Sequence, residues 1–442
     1  MDPNTVIPFQ RLGALSGSIE AQLVRDRRDF HRYPETAWTE FRTASLIARR
    51  LSELGYRLRL GADVICADDR MGVPDATVIE ECWSRALAQG GDAGFLPCFR
   101  SGLTGVVAEL GVGPGPLVAL RFDIDALDLQ ESQSVGHRPA REGFASTNLG
   151  AAHACGHDGH AAIGLGVARV LRELGPMPPG TVRLIFQPAE EGVRGAKSMI
   201  SAGVVDGVDA LLGCHLHSGW PVGHLVGGKT GFLATSKFDA IFTGAAAHAG
   251  GSPHLGRNAL MAAATAVLNL HAIPRHRDGT TRINVGRLTA GSGRNVVCPV
   301  AQMAVETRGQ TSELDLYMHD AALRILRAAA DMYECALELR PMGSAESAES
   351  DPLLAARVHE VAEALGGFAA RPAEKGGGSE DFTYMMRRVQ LQGGLATYIG
   401  LGADLGQWGH HAAEFDFDER ALVLATHLLA AVALDLLARP IA

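Results

Sequence analysis

Three strand-length apolar runs, each ending in residues that can do chemistry, constrain the fold of this chain more than any other feature. Leu117-Val118-Ala119-Leu120-Arg121-Phe122 ends at Asp123. Thr181-Val182-Arg183-Leu184-Ile185-Phe186 leads into Gln187-Pro188-Ala189-Glu190-Glu191-Gly192, and Ala210-Leu211-Leu212-Gly213-Cys214 leads into His215 and His217. The runs alternate with longer helical patterns, which predicts an α/β layer architecture with helices against a sheet. Ligands in such sheets gather beyond the carboxyl ends of strands, so the three exits are expected to share one crevice.

With 442 residues the chain exceeds what one hydrophobic core usually organises, so two domains are expected. From about Gly227 to Pro341 the pattern changes. Strand-like Phe238 to Phe242 precedes a helix over Asn258 to His271, then strands around Arg282 to Leu288 and Gln302 to Thr307. A helix over Glu313 to Ala330 and a strand at Ala336 to Arg340 complete a β-α-β-β-α-β order, the ferredoxin-like split unit. This reads as a domain inserted at 227–341 into a catalytic domain made of 1–226 and 342–442, which resumes with a helix at Pro352 to Leu365. Gly376-Gly377-Gly378-Ser379 marks a tight loop.

A net charge of −9 disfavours nucleic acid or an anionic membrane as partner. The seven scattered cysteines form no Cys-x-x-Cys pair, which fits a reducing cytoplasm. Met1-Asp2-Pro3-Asn4-Thr5 has no basic start before an apolar stretch, so it does not read as a secretory signal. His427 and Asp435 interrupt the apolar run from Ala421 to Ala438, which therefore reads as a buried helix, not a membrane span.

The chemistry concentrates in His153-Ala154-Cys155-Gly156-His157-Asp158-Gly159-His160. Thiolate and imidazole suit zinc, while carboxylate also accepts manganese, so the mixture points to one or two catalytic metal ions. Cys155 and His157 alternate across Gly156 and can face the same side of an extended loop. A single buried cysteine is ordinary core, but three histidines and an aspartate close by favour ligation. His153 and His160 are ligands or loop supports. Asp158 is placed to orient an imidazole from behind, as metal-bound histidines commonly require, and Asp123 is a second carboxylate for that supporting role.

Glu190 and Glu191 are adjacent, so on an extended exit they face opposite ways: one can bind metal while the other faces the attacking water. A solvated acidic pair at a helix start is the plainer alternative. His215, His217, His410 and His411 are further ligand candidates or loop decoration. His248 lies among the small residues Gly244 to Gly250 of the inserted stretch, and Arg294, Asn295 and Arg308 could grip a substrate carboxylate, since guanidinium offers a bidentate fork.

Together with Asp29-Phe30-His31-Arg32-Tyr33-Pro34-Glu35, Gly378-Ser379-Glu380-Asp381-Phe382 and the His411 region, these segments resemble the aminoacylase and carboxypeptidase-like dinuclear metallohydrolases. The likeness is to the amidohydrolase branch that includes plant auxin-conjugate hydrolases, and it runs nearly end to end. It implies a phosphorylase/hydrolase-like catalytic domain with a ferredoxin-like lid and dimerisation domain. It implies two divalent metal ions, Mn or Zn, held by Cys155, His157, Glu191, His215 and His411, with Glu190 as general acid and base. His248, Asn295 and Arg308 match lid positions associated with transition-state and carboxylate contacts. Part of the wider family carries a metal-binding histidine where this chain has Arg121, and His157 stands in its place. The segment Gly61 to Thr104 looks like an insertion beside the shorter auxin-conjugate enzymes. The implied reaction is hydrolysis of the amide between an aromatic acyl group and glutamate or aspartate. The implied partner is a second copy or a homologous B-type subunit, beside the N-acyl amino acid substrate. The alternatives are a protein with structural zinc and a catalytically quiet supporting subunit; the former needs a closed tetrahedral site, which spare carboxylates do not suggest.

Overall fold

The computed structural model describes residues 9–372, 378–404 and 408–441. Met1 to Thr5 and the Gly376-Gly377 pair, both singled out above, lie outside the described residues. The chain passes through strands β1 (Arg57–Leu60), β2 (Val106–Val112), β3 (Leu117–Asp123), β4 (Gly180–Gln187), β5 (Ala210–His217) and β6 (His224–Val226). Next come β7 (Ala234–Thr243), β8 (Thr281–Ala290), β9 (Val300–Gly309) and β10 (Ala336–Ala345), then β11 (Ala369–Ala370) and β12 (Leu395–Gly402).

Two compact units result. Among the described residues, one covers 9–230, 349–372 and 384–441, and the other covers 231–348 and 378–383. The first is built on a mixed eight-stranded sheet in the order β1-β2-β4-β3-β5-β12-β6-β11. β4, β3, β5 and β12 run parallel; β1 and β2 pair antiparallel with their neighbours, and β6 is antiparallel to β12 but parallel to β11. The chain leaves β3 to one side for β4 and then reaches its other side for β5, so the strand order reverses around β3. Such a reversal opens a crevice at the carboxyl ends. Register aligns those ends: Asp123 lies opposite Gln187, and Gly402 opposite His217.

Near-continuous apolar runs make strands that can be covered on both faces. Phe122 and Phe186 sit 5.6 Å apart on adjacent strands, and the helix His157–Leu174 packs over them, buried along most of its length. Its glycines permit that close approach. A Cβ on Gly164 would lie 2.6 Å from the Phe186 ring, and one on Gly159 would lie 2.6 Å from Phe417. The final helix, Arg420–Ala438, is long and apolar enough to cross a membrane but is an interior helix of this unit, with 78% of its most apolar window buried. Its buried Asp435 is met by Arg357 at 2.9 Å, which explains a charge inside an apolar run.

The second unit has a four-stranded antiparallel sheet, β10-β7-β9-β8. Phe238, Ala240 and Phe242 of β7 and Ala301, Met303 and Val305 of β9 are buried at every second position, the period of a strand with one covered face. They form one core with the helices Ala259–His271 and Ser312–Met332. Asn258 and Thr311 cap those helices, accepting from the backbone N–H of Met261 and Leu314 at 3.3 Å each. This unit begins at 231, not 227. Its last strand runs past Pro341 to Ala345, because a register shift between Pro341 and Gly343 absorbs the proline's missing donor.

Candidate metal and proton-transfer site

The crevice beyond β3, β4 and β5 collects six of the residues singled out in the sequence. The Cys155 sulfur lies 3.4 Å from His215 Nε2. His157 Nε2 lies 3.9 Å from a Glu190 oxygen and 4.0 Å from Glu191 Oε1, and His411 Nε2 lies 3.6 Å from Glu191 Oε1. Donor atoms fall within 4.8 Å of one another in the groups Cys155, His157, His215; Cys155, Glu191, His411; and His157, Glu190, Glu191. Cys155, His157 and Glu191 each belong to two groups.

Backbone contacts decide which ring nitrogens face this cluster. His157 Nδ1 lies 3.0 Å from the carbonyl oxygen of Asp125, and His215 Nδ1 lies 2.7 Å from that of Leu216. A carbonyl only accepts, so both rings carry a proton on Nδ1 and turn Nε2 toward the cluster. His160 is different. Its Nε2 accepts from the Leu216 N–H at 3.0 Å, and its Nδ1 donates to Asp123 at 2.5 Å. With both nitrogens engaged, it supports the cluster. Arg121 is buried and holds the other Asp123 oxygen at 2.5 Å and Gln187 at 2.8 Å.

These residues fit a divalent cation. His157 Nε2 and Glu191 Oε1 are buried and have no hydrogen-bond partner, although buried polar atoms are normally paired. Burial favours a neutral His157, yet Asp123 and the hydrogen bond at Asp125 outweigh it and raise the ring well above its ordinary value. A field that holds a proton there attracts a metal ion. Burial, with Glu191 second, pushes the Cys155 thiol up, and burial likewise pushes the Glu191 carboxyl up. Both would be relieved by a cation shared between them.

Asp158 has another task than the one expected of it. Its oxygens take Arg27 at 2.7 Å, His31 Nδ1 at 2.8 Å and the Gly159 N–H at 2.9 Å, so the imidazole it orients is His31. Arg27 also reaches Asp416 at 2.8 Å and Glu419 at 3.2 Å, a buried network tying the helix Glu20–Arg32 to the segment after His411. The carboxylates behind the cluster are Asp123 and Asp125. Asp125 accepts from the N–H of Glu190 at 3.0 Å and of Glu191 at 2.9 Å. The sequence reading passed over it, although the spacing Asp123-Ile124-Asp125 puts both side chains on one face of an extended segment.

The remaining histidines spread around the site. His217 stacks on Trp220 at 4.2 Å, and the ring of His410 sits 5.1 Å from that of His215. His153 is buried with neither ring nitrogen hydrogen bonded, and burial lowers it to about 4. In the second unit, His248 Nδ1 accepts from the N–H of Gly250 at 3.1 Å and of Gly251 at 2.9 Å, leaving the proton on Nε2. Asn295 lies across the same loop pair, its carbonyl accepting from the Ala249 N–H at 2.9 Å. Arg308 lies on β9 beside Glu306, at 3.0 Å.

The network makes stability depend on pH. Burial and the Arg27 charge oppose protonation of His31, but its bonds to Asp158 and Glu131, 2.8 Å each, prevail and raise it to about 9. A raised folded value stabilises fully below the unfolded value of about 6.5 and loses that contribution as pH rises through about 9. Urea unfolding of the native chain should show stability falling across this window, by about 3 kcal/mol at most from this group. The slope should flatten in His31→Gln; an unchanged slope would place the titrating group elsewhere.

The chain belongs to peptidase family M20/M25/M40, whose pattern matches residues 119–435, and it is a hydrolase of that family. It is similar to the indole-3-acetyl-aspartic acid hydrolase of Enterobacter agglomerans, with 50% identity over 422 residues, 94% of this chain and 95% of that one. It is also similar to the A-type subunit of the p-aminobenzoyl-glutamate hydrolase of Escherichia coli K12, with 48% identity over 430 residues, 97% of this chain and 98% of that one. Among solved structures, the aminobenzoyl-glutamate utilization protein of Klebsiella pneumoniae matches 97% of this chain and 100% of its own, at 42% identity and a TM-score of 0.84. A dinuclear metal binding peptidase from family M20 of Bacillus subtilis matches 96% of this chain and 99% of its own, at 26% identity and a TM-score of 0.65.

Proposed function

We propose that this chain hydrolyses the amide bond of an N-acyl amino acid, with p-aminobenzoyl-glutamate as the first candidate and indole-3-acetyl-aspartate as the second. The observation that carries the reading is the convergence of Cys155, His157, Glu191, His215 and His411 in overlapping donor groups, with Glu190 beside His157 and Glu191. In this reading the first five hold two divalent ions, manganese or zinc, and Asp123 supports them from behind through His160. The ions would supply a lowered pKa for water, toward about 7, and polarise the amide oxygen. Glu190 takes a proton from the attacking water and returns it to the leaving nitrogen, so that the C–N bond breaks and a carboxylic acid and an amine result.

The second unit is read as a ferredoxin-like lid and dimerisation module. His248, with its proton on Nε2, donates to the oxygen that becomes negative, and Asn295 and Arg308 hold the carboxylates of the amino acid. The Gly61 to Thr104 segment shapes the acyl pocket. Seven free cysteines support a cytoplasmic location. The assembly proposed is a homodimer or a heteromer with a homologous B-type subunit; the full donor set argues against a quiet supporting role.

The deciding experiment assays the purified chain alone, loaded with manganese or zinc, against both substrates. No turnover of either would overturn the reading. Arg308→Ala should weaken all acyl-glutamate substrates together, since a lost charge-assisted contact is indifferent to the acyl group. Shortening the Gly61 to Thr104 segment should instead reorder the acyl groups. A change of acyl preference in Arg308→Ala would refute this division.

A further inference from the structure

Three consecutive backbone N–H groups precede and include the two glutamates, and buried carboxyl groups capture all three. Asp125 takes those of Glu190 and Glu191. The third, at Ala189, goes to Glu40, which lies 149 residues away in sequence, at 2.8 Å. The same Glu40 oxygen accepts from the Trp38 N–H at 3.1 Å, and its other oxygen meets the Thr104 hydroxyl at 2.6 Å. Ala189 has φ 55° and Trp38 has φ 67°, left-handed values that a side chain other than glycine adopts only where its surroundings compel it. A single oxygen thus pins two left-handed residues, one of them immediately before Glu190.

We infer that Glu40 is a positioning residue for the proposed proton carrier: its carboxyl holds Ala189 in the left-handed turn that aims Glu190. The inference rests on the reading of Glu190 as the group that moves the proton. Glu40 works by hydrogen bonding. One of its oxygens accepts from the Ala189 and Trp38 N–H groups, and the other accepts from the Thr104 hydroxyl. Glutamine has the same shape, keeps an acceptor oxygen for Ala189 and Trp38, and presents an N–H to the Thr104 hydroxyl, which can turn to accept. Alanine has neither and releases the turn.

The test compares Glu40→Gln with Glu40→Ala in the full metal-loaded chain, measuring kcat, KM and bound metal. Glu40→Gln should stay within a few-fold of the native kcat. Glu40→Ala should lose roughly 10- to 100-fold in kcat, with KM and metal content within about two-fold, because a misplaced proton carrier costs rate, not binding. A merely structural role would not separate kcat from KM or be rescued by glutamine. If Glu40→Ala does not fold, Thr104→Val decides, since it loosens the carboxyl without removing it; a loss of roughly 3- to 10-fold in kcat alone is expected. A native kcat in the folded Glu40→Ala chain, or in Thr104→Val where that variant decides, would overturn the assignment, as would equal damage in Glu40→Gln and Glu40→Ala. Glu190→Gln run alongside separates the two ideas, because an active Glu190→Gln chain refutes the reading of Glu190 whatever Glu40 does.

Discussion

Glu190→Gln should retain its metal and lose roughly 10²–10⁴-fold in kcat, the usual worth of general acid–base catalysis. The side chain keeps its size and its backbone N–H stays on Asp125, 3.0 Å away, so the change removes proton transfer and little else. Glu190 touches the cluster at 3.9 Å from His157 Nε2, close enough to share the crevice, while Glu191 lies between His157 and His411. Metal content by elemental analysis and turnover on one acyl-glutamate substrate check both halves. Equal turnover in the variant would assign the proton to another group, and loss of metal would make Glu190 a ligand.

Cys155→Ala should lose metal on dialysis, because Cys155 belongs to two of the donor groups at once. A residue common to two sets weakens both when removed, so occupancy should fall further than in His411→Ala, whose side chain is 56% exposed at the rim. The native chain should also bind metal more tightly as pH rises. Burial holds the free thiol protonated, and a thiol that ligates gives up its proton. Affinity in the native chain should therefore gain about tenfold per pH unit from this group, and that gain should vanish in Cys155→Ala. Full occupancy in the variant would return Cys155 to the core.

Three strands of the first unit, β3, β4 and β5, were legible because short apolar runs end in polar chemistry, at Asp123, Gln187 and His215, while β2 and β12 were not read. The second unit was legible from its alternation and its capped helices. β6 and β11, of three and two residues, carry no period to read. β1 and the helix Ala76–Ala88, inside the Gly61 to Thr104 segment or next to it, were also missed. The donors at Cys155, His157 and the glutamate pair stood out because they crowd into short segments. Asp125 and Glu40 did not, because what they hold is backbone, and a backbone N–H leaves no mark in a sequence. Asp158 was read as support for a nearby ring because sequence shows only local neighbours; its partners, Arg27 and His31, come from 131 and 127 residues away.

The parallel pairing of β5 with β12 joins His215 to a strand that begins at Leu395, and the His411 N–H closes on the carbonyl of Ala154 at 2.8 Å. The donor set is therefore incomplete until synthesis has passed His411, well over half of this sequence beyond Cys155. A nascent chain that has displayed Cys155, His157 and His215 still lacks the fourth wall. Cation capture by this donor set would then follow the docking of β12, and a chain truncated before β12 should emerge with its thiol and imidazoles unassembled and open to oxidation.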